Sequence, residues 1–167
     1  KDVLLTGAGS GVTARAVAAF PGVRSIDMIE IEQAVVDAGA AFKDANGGVY
    51  GDPRLHVILE DGRNYLLTTE KQYDVIISEP SNPWMAGIAN LFTRDFYALV
   101  RTRLRPEGIF GQWIQQYDLS SATVKRMGAT VVEAFPETEL WRAGSGDLQV
   151  IASGVPLTFS RERAERL

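Results

Sequence analysis

Glu79 ends an apolar run and opens a loop with two prolines, Glu79-Pro80-Ser81-Asn82-Pro83. Prolines fix the backbone and remove amide donors, so this loop is a rigid base from which to aim a carboxylate. A carboxylate so placed can hold an ammonium group and accept its proton. About seventy residues earlier, Gly7-Ala8-Gly9-Ser10-Gly11 follows a second apolar run, Val3 to Thr6. Glycine lets the backbone turn tightly and lets a ligand approach without a Cβ in the way. Alone, G-x-G-x-G is equally a plain strand-to-helix turn. Its meaning depends on what stands beside it.

Two more acids stand beside it. Glu30 lies near the end of Ser25 to Ile31 (S-I-D-M-I-E-I). This is roughly 20 residues after the glycine loop, where an acid can accept hydrogen bonds from both hydroxyls of a ribose. Its neighbours Met28, Ile29 and Ile31 are apolar, and a carboxylate among them needs a partner. Glu32 is expected to cap the helix that follows. Asp61, before Gly62, follows the apolar run Leu55 to Leu59 and suits the amino edge of an adenine. An ordinary turn is the plain alternative there. The glycine loop, Glu30, Asp61 and Glu79 end four successive predicted strands. In a doubly wound sheet all four lie along the carboxyl edge, where ligands bind.

The elements that must position them alternate along the chain. Strands are predicted at Val3–Thr6, Ser25–Ile31, Leu55–Leu59, Tyr73–Ser78 and Ile109–Ile114. Helices are predicted at Val12–Phe20, Gln33–Phe42, Asn64–Thr69, Thr93–Leu104 and Ser121–Phe135. Pro21-Gly22 stops the first helix, Pro106 and Gly108 stop the fourth, and Ser120 or Ser121 caps the last. Thr138–Arg142 and Leu148–Ser153 read as a hairpin across the glycine-rich link Ala143–Asp147. The fold class is therefore α/β, a doubly wound and mostly parallel seven-stranded sheet with a C-terminal antiparallel hairpin. Such a hairpin separates the methyltransferase-like form of the nucleotide fold from the dehydrogenase form. His56 is expected to be structural, Trp113 and Trp141 to lie in the core, and Arg101, Arg103 and Arg105 to form a solvated face near a helix C-terminus.

The 167 residues suffice for one domain with a substantial core. The net charge of −4 and the lack of a basic face argue against a nucleic-acid partner. There is no cysteine and a single histidine, which excludes thiolate metal sites and leaves no histidine cluster; no metal is expected. No run approaches the roughly 18 apolar residues of a membrane span, so this chain is expected to be soluble. It starts at Lys1 and enters a strand almost at once. We read it as a piece of a longer protein: a catalytic domain at 1–155 and a tail at 156–167 that continues into the rest.

The run Ile77–Tyr97 (I-S-E-P-S-N-P-W-M-A-G-I-A-N-L-F-T-R-D-F-Y) and Gly108–Trp113 (G-I-F-G-Q-W) resemble the catalytic domain of the spermidine synthase family of polyamine aminopropyltransferases. The resemblance runs from about Val3 to Ser153 and is closest to bacterial members that often carry transmembrane segments ahead of this domain. It implies a transferase that uses decarboxylated S-adenosylmethionine, or S-adenosylmethionine, as co-substrate and a small-molecule amine as acceptor. It further implies a cytoplasmic location, a parent attached to a membrane, and a homodimer. Gly7, Gly9, Ser10 and Gly11 would cradle the cofactor's sulfur side, Glu30 its ribose, and Asp61-Gly62 its adenine. Glu79 would be the catalytic acid of the loop, with Asn82 and Gln112 in contact with substrate. The chain departs from the family where Ser10 and Asn82 replace aspartates that meet amino groups, and where Glu79 is longer by one methylene. These departures leave three readings: aminopropyl transfer to a polyamine, methyl transfer from S-adenosylmethionine, and a non-catalytic nucleoside-binding domain of a membrane protein.

Overall fold

Every residue of Asp2–Thr6 (β1) is buried, and this strand sits inside the sheet rather than at its edge. The structure is a computed structural model that describes residues 1–158 except Ala86 and Ser145. The other strands are Ser25–Glu30 (β2), Leu55–Leu59 (β3), Tyr73–Ser78 (β4), Leu104–Gln115 (β5), Glu137–Ala143 (β6) and Asp147–Ser153 (β7). They form one sheet in the order β3-β2-β1-β4-β5-β7-β6. The first five run parallel, and β7 lies antiparallel between β5 and β6. This is the expected doubly wound sheet with its closing hairpin. Strand order reverses between β1 and β4, so a crevice opens at their carboxyl ends. The glycine loop leaves one of these strands and the Glu79 loop leaves the other.

The helices are Val12–Ala18 (α1), Gln33–Ala38 (α2), Lys43–Asn46 (α3), Gly62–Thr68 (α4), Arg94–Arg103 (α5) and Ser121–Ala134 (α6). Two cores cover the two faces of the sheet. Leu4, Ile76, Phe96, Tyr97, Phe110 and Phe135 pack beneath α4, α5 and α6, and Phe110 stacks on Phe135 at 5.6 Å. Val3, Leu5, Ala14, Ile26 and Met28 form the other. Alternation of side chains along each strand sorts residues between these faces and decides which of them can reach a ligand. No helix among the described residues is long and apolar enough to cross a membrane.

Several boundaries differ from expectation, three of them for clear local reasons. The helix predicted to end at Phe42 ends at Ala38 and tightens into a 3₁₀ turn over Gly39–Phe42. A Cβ at Gly39 would lie 2.3 Å from the Tyr50 ring, so the chain is pinned there against a second element. β5 starts at Leu104 rather than Ile109, because Pro106 drives Arg105 into extended backbone. Tyr73 pairs with Leu104 and Val75 with Ile109, so the intervening residues of β5 bulge. β2 ends at Glu30, and Ile31 is 68% exposed beyond it. Ser120, of the two serines considered, caps α6 by accepting from Thr123 N–H at 3.1 Å. Of the tail expected at 156–167, residues 159–167 lie outside the described residues, as does Ser145 in the hairpin link.

The three arginines expected to form a solvated face instead tie elements together. Arg101 donates to Ala134 O at 2.7 Å and Arg103 to Leu66 O at 2.7 Å. Arg105 bridges Asp2 and Asp74 at the amino ends of β1 and β4. The Arg105 guanidinium, with Arg24, holds the Asp2 carboxyl below the usual carboxylate range against the opposing effect of burial. Partial burial opposes the same shift at Asp74, where the Asp2 N–H and Lys1 prevail. His56 is exposed on β3, an edge strand. Trp141 is exposed on the opposite edge, contrary to its expected core position, and donates to Glu139 Oε2 at 2.8 Å.

Candidate active site

The glycine loop and Glu79 meet because the backbone brings them together. Glu79 N–H donates to Thr6 O at 3.0 Å and Gly7 N–H to Ile29 O at 2.8 Å, so each loop continues the strand pairing for one more residue. Gly7 has φ +97°, and a Cβ there would lie 3.0 Å from Glu79 O. Only glycine allows this turn at this separation. Beyond it a cavity of about 420 Å³ opens, lined by Gly7, Gly9, Ser10, Thr13, Glu79 and Trp113, with Ala8, Val12 and Gln149 completing the wall. Its size falls in the range of roughly 300–1,000 Å³ found for small-molecule sites. Inside it, Thr13 Oγ lies 2.9 Å from Glu79 Oε1 and 2.8 Å from Oε2 and donates to the carboxylate.

Glu30 is 9% exposed and finds the partners its setting demands. Ala8 N–H donates to Oε2 at 2.9 Å and Glu32 N–H to Oε1 at 3.0 Å. Each oxygen keeps a lone pair beyond these bonds. The cap expected of Glu32 is therefore corrected: it stands at the N-cap position but its side chain makes no capping bond, and its own N–H donates to Glu30. Tyr50 stands nearby. Burial, and then the negative charge of Glu30, raise its phenol above its ordinary value, so it stays neutral.

Asp61 caps α4 by accepting from Asn64 N–H at 2.8 Å, the plain turn role, with its second oxygen making no bond described. Gly62 packs on Thr6 at the end of β1, so both belong to the carboxyl edge, although neither lines the cavity. Gly11 takes φ +81° as the first residue before α1 and lies against Tyr50 and Asn46 rather than in the cavity.

Two expected substrate contacts are engaged elsewhere. Gln112 is fully buried, accepts from Tyr97 O–H at 2.7 Å, and donates to Leu91 O at 3.0 Å. It shares the core face of β5 with Phe110 and Ile114, and both of its side-chain hydrogen bonds lie within the protein. Its neighbour Trp113, expected in the core, faces the cavity instead. Asn82 accepts from Tyr117 O–H at 2.8 Å, and Trp84 packs edge-on against Tyr117 at 5.6 Å. This pins the proline loop to the segment after β5 and leaves Trp84 about half exposed. A larger open groove between α5 and α6 holds Arg94 and Arg101, but these arginines are committed to Glu133 and Ala134 O.

Sequence reasoning missed Thr13, Trp113, Gln149, Tyr117 and Asn46. Asn46 is buried and donates to Ser10 O and Gly39 O at 2.9 Å each, while accepting from Gly48 N–H. It fastens the glycine loop to the segment after α2. Trp113 and Gln149 had a usable signal, since strand alternation puts Trp113 opposite Phe110 and Ile114, and Gln149 opposite Leu148 and Val150.

A family model for the spermine/spermidine synthase domain matches residues 1–143. A polyamine aminopropyltransferase of Alkaliphilus oremlandii is 34% identical over 145 residues, which cover 86% of this chain and 51% of that protein. One from Bacillus subtilis is 30% identical over 143 residues, with the same coverage of 86% and 51%. The chain thus spans about half the length of the curated relatives it matches. The crystal structure of spermidine synthase from Thermotoga maritima matches with a TM-score of 0.80 at 25% identity, over 93% of this chain and 54% of that one. Human methyltransferase-like protein 13 in complex with SAH matches with a TM-score of 0.79 at 21% identity, over 99% of this chain and 77% of that one. The latter likeness concerns the fold alone.

Proposed function

The chain belongs to the spermine/spermidine synthase family, and we propose on that basis that it moves an aminopropyl group from decarboxylated S-adenosylmethionine to a small-molecule amine, a polyamine by class. The observation that carries this reading is one cavity at the β1/β4 crevice, walled by the glycine loop on one side and by the Glu79 carboxylate on the other. A nucleoside fits these residues. The loop offers backbone without side chains at Gly7 and Gly9, and Glu30 has unused lone pairs on oxygens already oriented by two amides. Asp61 and Gly62 lie at the next strand end for the adenine. When bound, the donor supplies a sulfonium whose neighbouring methylene is electrophilic.

Glu79 then has two tasks. A free alkyl amine has a pKa of about 10.4, so the acceptor arrives as an ammonium ion that must lose a proton before it can attack. The carboxylate first holds the ammonium by charge, then takes the proton. The freed nitrogen lone pair forms the new C–N bond as the C–S bond breaks, and its electron pair leaves on the thioether. Ser10 lines the same cavity as a neutral hydroxyl, and Asn82 restrains the loop through Tyr117 rather than supplying a second charge. A cytoplasmic setting, a homodimer and a membrane-attached parent belong to the same proposal and follow from the resemblance.

The test is titration calorimetry with the two donors. The decarboxylated donor is expected to bind more tightly than S-adenosylmethionine. Glu30→Gln should weaken both by about 10- to 100-fold, the equivalent of one hydrogen bond to a charged acceptor. A clear preference for the carboxylated donor overturns the proposal in favour of methyl transfer.

A further inference from the structure

We propose that Thr13 is a positioning residue whose hydroxyl fixes the Glu79 carboxylate over the glycine loop. The proposal rests on the reading of Glu79 as the group that takes the amine's proton. Its basis is the contact of one hydroxyl with both carboxylate oxygens, at 2.9 and 2.8 Å. One proton shared between two oxygens turns the plane of the carboxylate toward the hydroxyl and leaves the outer lone pairs of both oxygens directed away from Thr13.

Thr13 is well suited to this. It is the second residue of α1, immediately after the loop, and its place is set by Gly11 at φ +81° and by the Arg15 N–H bond to Gly11 O. Its branched side chain has few rotamers, so the hydroxyl is a stiff reference point. Glu79 is the opposite case, a long side chain on a rigid loop with three rotatable bonds and only partial burial. Among the described residues, no other side chain donates a hydrogen bond to its carboxylate. Ser10 lines the same cavity without doing so. The extra methylene of glutamate over aspartate moves the carboxylate by ~1 Å, and a displacement of that size can cost on the order of 100-fold in rate. The Thr13 hydroxyl stands where the longer side chain ends, and an aspartate at position 79 would fall short of it. Thr13 and Glu79 therefore work as a matched pair, one supplying length and the other a fixed end point.

The test compares the intact protein with Thr13→Val, which keeps the shape and removes the hydroxyl, and with Thr13→Ser, which restores it. In crystal structures of all three, the Glu79 carboxylate is expected at Thr13 in the first, displaced in the valine variant and returned in the serine variant. In turnover, Thr13→Val should lower kcat about 10- to 100-fold with the donor KM unchanged, and Thr13→Ser should recover most of the loss. A merely structural role would move donor KM and kcat together and would not be rescued by serine. An unmoved carboxylate in Thr13→Val overturns the proposal, as does an unchanged kcat. If the unaltered protein transfers no aminopropyl group, the proposed reaction fails, and the crystallographic comparison still decides the role of Thr13.

Discussion

Glu79→Gln is expected to lower the proposed aminopropyl turnover by about 10²- to 10⁴-fold, the range for losing a positioned proton acceptor. It leaves nucleoside binding near its original strength. Glutamine matches glutamate in length and keeps an oxygen that can accept from Thr13, so the cavity keeps its shape. It loses the negative charge proposed to hold the ammonium and the basicity proposed to take its proton. Glu79→Asp tests the other half of the account. It keeps the charge and withdraws it by ~1 Å from the Thr13 hydroxyl, with a cost on the order of 10- to 100-fold. Initial rates at saturating donor and amine, paired with calorimetry on methylthioadenosine, check both variants. Near-normal turnover in Glu79→Gln removes Glu79 from the chemistry. Weak nucleoside binding in the same variant would instead assign it to the donor site.

The second large effect lies away from the cavity. Asp27→Ala is expected to destabilise the fold by about 3 kcal/mol, since a buried charged acceptor is removed from under several donors. Asp27 is 4% exposed on β2 and accepts from Tyr73 O–H and Lys71 Nζ at 2.7 Å each. Tyr65 O–H reaches Tyr73 O–H at 2.7 Å and Asp27 at 3.4 Å. Burial, with the hydrogen bonds of Tyr65 and Asp27, pushes the Tyr73 phenol far above its ordinary value, so it serves as a permanent donor. Without Asp27 the two phenols keep only each other, while Lys71, partly exposed, returns to water. For a domain of this size the loss corresponds to roughly 6–12 °C in melting temperature. Asp27→Asn keeps an acceptor for Tyr73 and should lose less. A melting temperature unchanged in Asp27→Ala would show that the cluster adds nothing to stability.

The two opening loops were legible because their chemistry is local. A strand, a run of glycines and a helix are contiguous in sequence, and so are a strand, an acid and two prolines. Their convergence followed from strand–helix alternation, which makes every βα loop emerge at one edge. Glu30 was legible for a different reason: an acid among apolar residues must have a partner, and two backbone amides supply it. The same argument applies to Asp27, which stands in that strand between Ile26 and Met28. Its partners come from 38 to 46 residues further along, and nothing in the sequence names them. Trp113 shows where alternation says more than strand placement alone, because Phe110 and Ile114 already assign the faces of β5. Thr13, Tyr117 and Asn46 act across 66, 35 and 36 residues. Such contacts depend on how the loops sit against each other, which neither propensity nor spacing encodes.

The central claim concerns which group is moved, and the mass of the product tests it most directly. The intact protein is incubated with a diamine and decarboxylated S-adenosylmethionine, and in parallel with ordinary S-adenosylmethionine, and the amine is read by mass spectrometry. The account predicts an amine one aminopropyl unit heavier in the first reaction, with methylthioadenosine released, and no change in the second. An amine left unaltered by the decarboxylated donor but methylated by the carboxylated one contradicts it.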